Sequence, residues 1–192
     1  VAEQWVPFDR EISVVAVRGA DGEVRCYPPS ENVHEGGILR STIAPAPALG
    51  EAVRETATSY VQRILGHADY VGVMALEMFQ VGDRLLANEV APRVHNTGHW
   101  TIEGAETSQF ENHLRAVLGW PLGSTAPRGC SVMVNIIGEA PSLEAMLGVA
   151  GLHVHMYGKQ PRPGRKLGHV TMLADTTDAA RERLQALRQV AG

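Results

Sequence analysis

The sequence predicts an α+β fold, an antiparallel sheet with separate helices. Two observations carry this. Valine-rich, alternating segments come in pairs around short Gly/Asp turns, at 11–27 and 71–90. Longer amphipathic stretches begin and end on helix-boundary residues.

Glu11 to Arg18 alternates apolar residues, the pattern of a half-buried strand. Gly19-Ala20-Asp21-Gly22 turns the chain, and Glu23 to Tyr27 returns as the second strand of a hairpin. Pro45-Ala46-Pro47 is a linker. Leu49 to Leu65 places Val53, Ala57, Val61, Ile64 and Leu65 on one side of a helix. Gly66 then sits where glycine commonly ends helices. Val71 to Phe79 and Leu85 to Val90 form a second hairpin, turning at Gly82-Asp83. Ser108-Gln109-Phe110-Glu111 is a capping box, and the helix it opens should turn Phe110, Leu114 and Val117 inward and end near Gly119. Pro121 to Arg128 reads as a domain linker. Ser131 to Ile137, Leu152 to Tyr157 and His169 to Leu173 read as strands. Thr177 caps a last helix with Ala180, Leu184, Leu187 and Val190 in register. The expected units are therefore 1–120 and 121–192, the second small, β-rich and closed by one helix.

The 192 residues are 44% hydrophobic and 20% charged, enough for one sizeable globular unit. A net charge of −4 gives no basic field to draw the chain to nucleic acid or membrane. No apolar run reaches spanning length and no signal peptide opens the sequence, so a cytoplasmic protein is expected. Cys26 and Cys130 make no disulfide framework and read as small strand residues.

Asn88-Glu89-Val90-Ala91-Pro92-Arg93-Val94-His95-Asn96-Thr97-Gly98-His99 is the densest polar segment, and it follows an apolar run. Polar groups gathered at the end of a buried strand need partners, which points to a site. Glu77 on the preceding strand and Glu89 are a ready pair of oxygen ligands for Mg²⁺. The competing reading is a solvated hairpin end with capping residues. The geometry is conditional. A two-residue turn would set Glu77 opposite Asn88 and send Glu89 to the other face. A bulge or a three-residue turn, which Gly82 would permit, would set Glu77 opposite Glu89. Lys159, Arg162, Arg165 and Lys166 cluster among prolines and Gly164, either a phosphate cradle or a solvated basic turn. His153 and His155 share a strand face, as polar-face residues or, less simply, a zinc pair.

Four blocks together resemble the ATP-grasp ligases, and within them the ATP-dependent carboxylating enzymes of purine biosynthesis. They are Glu3 to Ser13, Tyr27 to Arg40, Asn88 to His99, and Arg162-Pro163-Gly164-Arg165-Lys166-Leu167-Gly168-His169. The resemblance implies the C-terminal lobe of an ATP-grasp domain followed by a small β-rich domain. It implies MgATP and bicarbonate as co-substrates, 5-aminoimidazole ribonucleotide as acceptor, and a homodimer. It places adenine beside Glu3, Gln4, Trp5 and Val6, ribose at Glu11, and the nucleotide near His34, Asn88 and Glu89. Mg²⁺ falls to Glu77 and Glu89, and catalysis to Arg93, His95 and Asn96. His99 is read as a loop-stabilising neighbour, and Lys159 and Arg165 as grips on a 5′-phosphate. Family members carry a further N-terminal domain and the first half of the ATP-grasp domain. The chain accordingly reads as half a site, expected to be inactive in isolation. Two alternatives are another ATP-grasp carboxylase or formyl-transferring ligase, and a non-catalytic nucleotide-binding or assembly fragment.

Overall fold

The computed structural model describes residues 5–191. The first hairpin is β1 (Arg10–Arg18) with β2 (Val24–Cys26). A second hairpin, β3 (Ser30–Glu35) with β4 (Ile38–Ala44), was not expected from the sequence. Gly36 and Gly37 at its turn both have positive φ, 58° and 75°. That is the backbone a tight two-residue hairpin turn requires, so a signal was there to read. The helix α1 (Glu51–His67) follows. It continues through Gly66, and the left-handed residue after its end is Asp69, with φ 46°.

The third hairpin joins β5 (Gly72–Val81) to β6 (Arg84–Ala91). A 3-10 turn (Asn96–Gly98), α2 (Thr101–Gly104) and α3 (Gln109–Val117) come next. The chain ends with β7 (Cys130–Ile137), α4 (Leu143–Leu147), β8 (His153–Met156), β9 (Lys166–Ala174) and α5 (Thr177–Ala191). Thr176, one residue before the expected cap, supplies the cap of α5: its Oγ1 accepts the Ala179 N–H at 3.2 Å.

Among the described residues the strands form one antiparallel sheet in the order β6-β5-β1-β3-β4-β7-β9-β8, with β2 beside β1. The sheet is unbroken at the boundary expected between 120 and 121, because β7 pairs directly with β4. The segment expected as a linker is strapped down. Ala126 O and Ser124 O accept the N–H groups of Glu106 and Thr107, and Leu122 is buried.

Cross-strand partners share a sheet face. The row Ile12–Glu31–Ile43–Val132–Met172 therefore marks one face. On it α1 buries Val53, Ala57, Val61 and Leu65 against β1 and β5. Farther along the same face α5 buries Ala180 and Leu187 against β4, β7 and β9. The row Glu11–Asn32–Thr42–Met133–Thr171–His153 marks the other face, which is rich in polar groups. Trp100 and Tyr27 anchor the segment that covers its middle.

The helix α3 presents the opposite side to the one expected. Gln109, Asn112 and Ala116 are buried, whereas Phe110, Leu114 and Val117 are exposed, Leu114 to 58%. Buried polar contacts set this orientation. Asn112 Nδ2 donates to Tyr27 Oη at 2.8 Å, and Asn112 Oδ1 accepts the Gly123 N–H at 2.8 Å. Apolar periodicity is blind to contacts of that kind.

Candidate active site

The polar face owes its residues to three places where the ladder carries one extra residue. On β6 the partners run Val81↔Arg84 to Met78↔Ala87, then Glu77↔Glu89, so Asn88 is the extra residue. The turn is thus the two-residue one, and the bulge at Asn88, not Gly82, sets Glu77 opposite Glu89. On β4 the step from Val33↔Ser41 to His34↔Leu39 leaves out Arg40. On β9 the step from Ile136↔Gly168 to Ile137↔Lys166 leaves out Leu167. Leu167 goes to the core beneath α5, and Lys166 joins Asn135 and His169 on the polar face.

Four residues form a line across this face. Glu11 Oε2 accepts the His34 backbone N–H at 3.2 Å and meets His34 Nδ1 at 2.8 Å. His34 Nε2 stands 4.0 Å from Glu77 Oε1, and His95 Nδ1 stands 3.7 Å from the same oxygen. Burial raises the pKa of Glu77, and Glu89 and Glu11 push the same way against the opposing pull of His34 and Lys166. Burial lowers His95 to about 4, helped by Arg93, Lys166 and His34. His95 is therefore neutral at pH 7, and its approach to Glu77 is not an ion pair. The hydrogen-bond network fixes its tautomer. Nδ1 accepts the Thr97 N–H at 3.4 Å and lies 2.9 Å from Thr97 Oγ1, so the ring proton sits on Nε2. Such an imidazole offers a donor.

The remaining expected residues divide. Asn96 is committed to structure: it exchanges side-chain amide bonds of 3.0 and 2.6 Å with Asn135, which also donates to Leu39 O at 2.9 Å. Arg93 is exposed, with Nη1 donating to Val94 O at 3.1 Å. Lys159 Nζ stands 5.1 Å above the Tyr157 ring, and Arg165 lies in the loop that Gly138 N–H bonds at Arg165 O. Lys166 is the residue the sequence reading left out of the site. Burial lowers its pKa, and the negative charges of Glu77 and Glu89 oppose that shift. Its position in the basic block was visible, but the bulge that turns it inward was not.

Glu3 and Gln4 lie outside the described residues. Trp5 and Val6, with Pro7, Val81, Arg84 and Leu86, line a groove of about 380 Å³ beside the β5–β6 turn. Of the two histidines on β8, His153 is exposed and His155 is part-buried. His155 Nε2 lies 2.7 Å from Glu103 Oε1, and its ring stacks on His169 at 4.5 Å. His169 Nδ1 meets Tyr157 Oη at 2.7 Å.

The donor set fits a hard divalent cation. Two carboxylates face each other at one rung, and one is buried beside the other's charge. Among the described residues no three His, Cys, Asp or Glu side chains converge as a closed cage. Mg²⁺ needs none, since it takes one or two carboxylates and completes its shell with water and phosphate oxygens.

One antiparallel sheet that carries a carboxylate pair on its polar face and helices on the other is the frame of an ATP-grasp lobe. The sequence model of the ATP-grasp domain matches residues 1–110, and the chain belongs to that family. A second model, the phosphoribosylaminoimidazole carboxylase C-terminal domain, matches residues 131–183. The chain is similar to N5-carboxyaminoimidazole ribonucleotide synthases. It is 54% identical to that of Pseudomonas aeruginosa over 172 residues, which cover 90% of this chain and 47% of that one. It is 51% identical to the Vibrio parahaemolyticus enzyme over 191 residues, covering 99% and 50%. The crystal structure of the Thermus thermophilus synthetase superposes with a TM-score of 0.94 at 61% identity, covering 98% of this chain and 52% of that one. The Aspergillus clavatus synthase, solved with ADP and 5-aminoimidazole ribonucleotide, gives 0.88 at 38% identity, covering 97% and 52%. The chain spans about half the length of the curated relatives it matches.

Proposed function

We propose that the protein carrying this chain carboxylates the exocyclic amine of 5-aminoimidazole ribonucleotide, using ATP and bicarbonate. The observation that carries the reading is the Glu77–Glu89 rung, with His95 Nδ1 3.7 Å from Glu77, in a chain so similar to named synthases. In the proposed reaction a bicarbonate oxygen attacks the γ-phosphorus of ATP and ADP leaves. The amine then attacks the carboxyl carbon of carboxyphosphate, phosphate leaves and the amine loses a proton.

Each residue has a role in this reading. Glu77 and Glu89 hold Mg²⁺, which when bound offsets charge on the phosphate oxygens. Asn88, as the bulge, sets their common face. Trp5 and Val6, with Glu3 and Gln4, wall the adenine, and Glu11 and His34 lie toward the ribose. Arg93 grips the bicarbonate or carboxyphosphate anion, and His95 donates to it from Nε2. Lys166 adds a cation beside the carboxylates. Asn96 acts through Asn135, holding the loop. Lys159 and Arg165 take the 5′-phosphate. Residues 1–120 and 121–192 act as the two modules, and a cytoplasmic homodimer belongs to the same reading.

The test is ADP release by the full-length protein. Release should require both bicarbonate and the aminoimidazole ribonucleotide, and Glu89→Gln should weaken it most at limiting Mg²⁺. Equal release with another amine acceptor would favour a different ATP-grasp ligase. No release from a folded, ATP-binding protein would favour a binding module.

A further inference from the structure

Gln109 opens α3, directly after its cap, where side chains usually face water. Here it is fully buried. Its amide makes a two-point contact with one residue. Oε1 accepts the His95 backbone N–H at 3.0 Å, and Nε2 donates to His95 O at 2.7 Å. Nε2 also lies 3.1 Å from His99 Nδ1, which serves as the acceptor because an amide nitrogen can only donate.

The fit leaves no slack. The Gln109 backbone N–H donates to Thr101 Oγ1 at 2.9 Å, and that hydroxyl donates to Gly98 O at 2.6 Å. A Cβ on Gly98 would come 2.5 Å from Gln109 Oε1 and 3.0 Å from Val15. Thus glycine at 98 gives the amide its room. The His95 backbone is extended, with φ −128° and ψ 153°, and the amide meets it as a neighbouring strand would. Thr97 holds the far end of the same residue through Nδ1.

We infer that Gln109 is a positioning residue for His95, fixing its backbone so that Nε2–H points to the reacting anion. Gln109 acts through His95 and touches no substrate. The inference rests on the catalytic reading of His95 proposed above and extends it to a residue that reading does not use.

The experiment uses the full-length protein. Gln109→Met keeps the length of the side chain and removes both bonds. It should lower kcat on the order of 10- to 100-fold, as expected when a catalytic group is misplaced by a fraction of an ångström to an ångström. The KM for ATP should stay within about twofold, because ground-state nucleotide binding is untouched. Gln109→Glu keeps the acceptor for His95 N–H, loses the donor, and should fall between the two. In a His95→Ala background Gln109→Met should cost nothing further. A full further loss there, or a parallel loss of ATP affinity, would overturn the inference. Hydrogen exchange at the His95 amide reads the clamp without turnover. Unchanged exchange in both folded variants would overturn the clamp whatever the kinetics. Wild-type turnover in His95→Ala alone would instead sink the catalytic reading of His95, and the positioning role with it.

Discussion

Glu77 stands opposite Glu89 on the β5–β6 ladder, one rung after Met78 stands opposite Ala87. The difference is Asn88. Were Asn88 paired regularly with Glu77, the period-two alternation of β6 would carry Glu89 to the face covered by α1. Deleting Asn88 from the full-length protein puts Glu89 directly after Ala87 and so still opposite Glu77, and Mg²⁺-dependent ADP release should therefore survive. Asn88→Gly, which keeps the bulge, should retain much of it. Loss of release in both variants would mean that the Asn88 side chain itself takes part.

Glu77→Gln and Glu89→Gln should raise the Mg²⁺ concentration needed for half-maximal activity by roughly tenfold or more, as losing one of two hard ligands predicts. Titration of ADP release against Mg²⁺ measures this. An unchanged Mg²⁺ requirement in both would remove the metal site.

Lys159→Ala and Arg165→Ala should raise the KM for the aminoimidazole ribonucleotide far more than the KM for ATP. Losing a charge-assisted contact costs about 1.5–3 kcal/mol, roughly ten- to a hundredfold. Lys166→Ala should differ from both, lowering kcat as well, because Lys166 lies on the polar face and its charge is felt by Glu77 and Glu89. Equal effects on both KM values would show that the loop only supports the fold.

Acid should destabilise this chain through its buried histidines. Burial lowers His95 and His99 to about 4 and His169 to about 3, from 6.5. Between those values the unfolded chain binds protons that the folded chain does not, so stability is full above pH 6.5 and declines as pH falls toward 4 and 3. The loss reaches about 2 kcal/mol per histidine by pH 5, and less in sum because the rings contact one another. The raised pKa of Glu77 works in the opposite sense. Urea unfolding at pH 5, 6, 7 and 8 measures the slope. A flat profile, or one that His169→Gln leaves unchanged, would contradict this account.

Leu114 tests the orientation of α3. It is 58% exposed, so Leu114→Lys should change stability by only about 0.5 kcal/mol. Asn112→Leu on the buried side should cost on the order of 2 kcal/mol, since it strands the Gly123 N–H and takes away the donor to Tyr27 Oη. Urea midpoints in the reverse order would restore the inward-facing Leu114.

The sequence by itself determined most of the elements, though not the β3–β4 hairpin, and the polar runs from which a site could be built. Alternation in Glu11–Arg18 and Val71–Phe79 is a local property, and so is the side-on register of Val53, Ala57, Val61 and Leu65. The cluster from Asn88 to His99 and the basic block from Lys159 to Lys166 were visible for the same reason: they are runs in the chain. What the tertiary structure decided was direction. One extra residue at Arg40, Asn88 and Leu167 chooses the face that Leu39, Glu89 and Lys166 present, and no local pattern marks those three positions. Asn112 and Gln109 turn α3 inward on polar contacts with Tyr27 and His95, partners 85 and 14 residues away. Asn96 is bonded to Asn135, 39 residues on. Hydrogen bonds across such separations exist only once the sheet has brought the strands together, and so they leave no trace in local sequence.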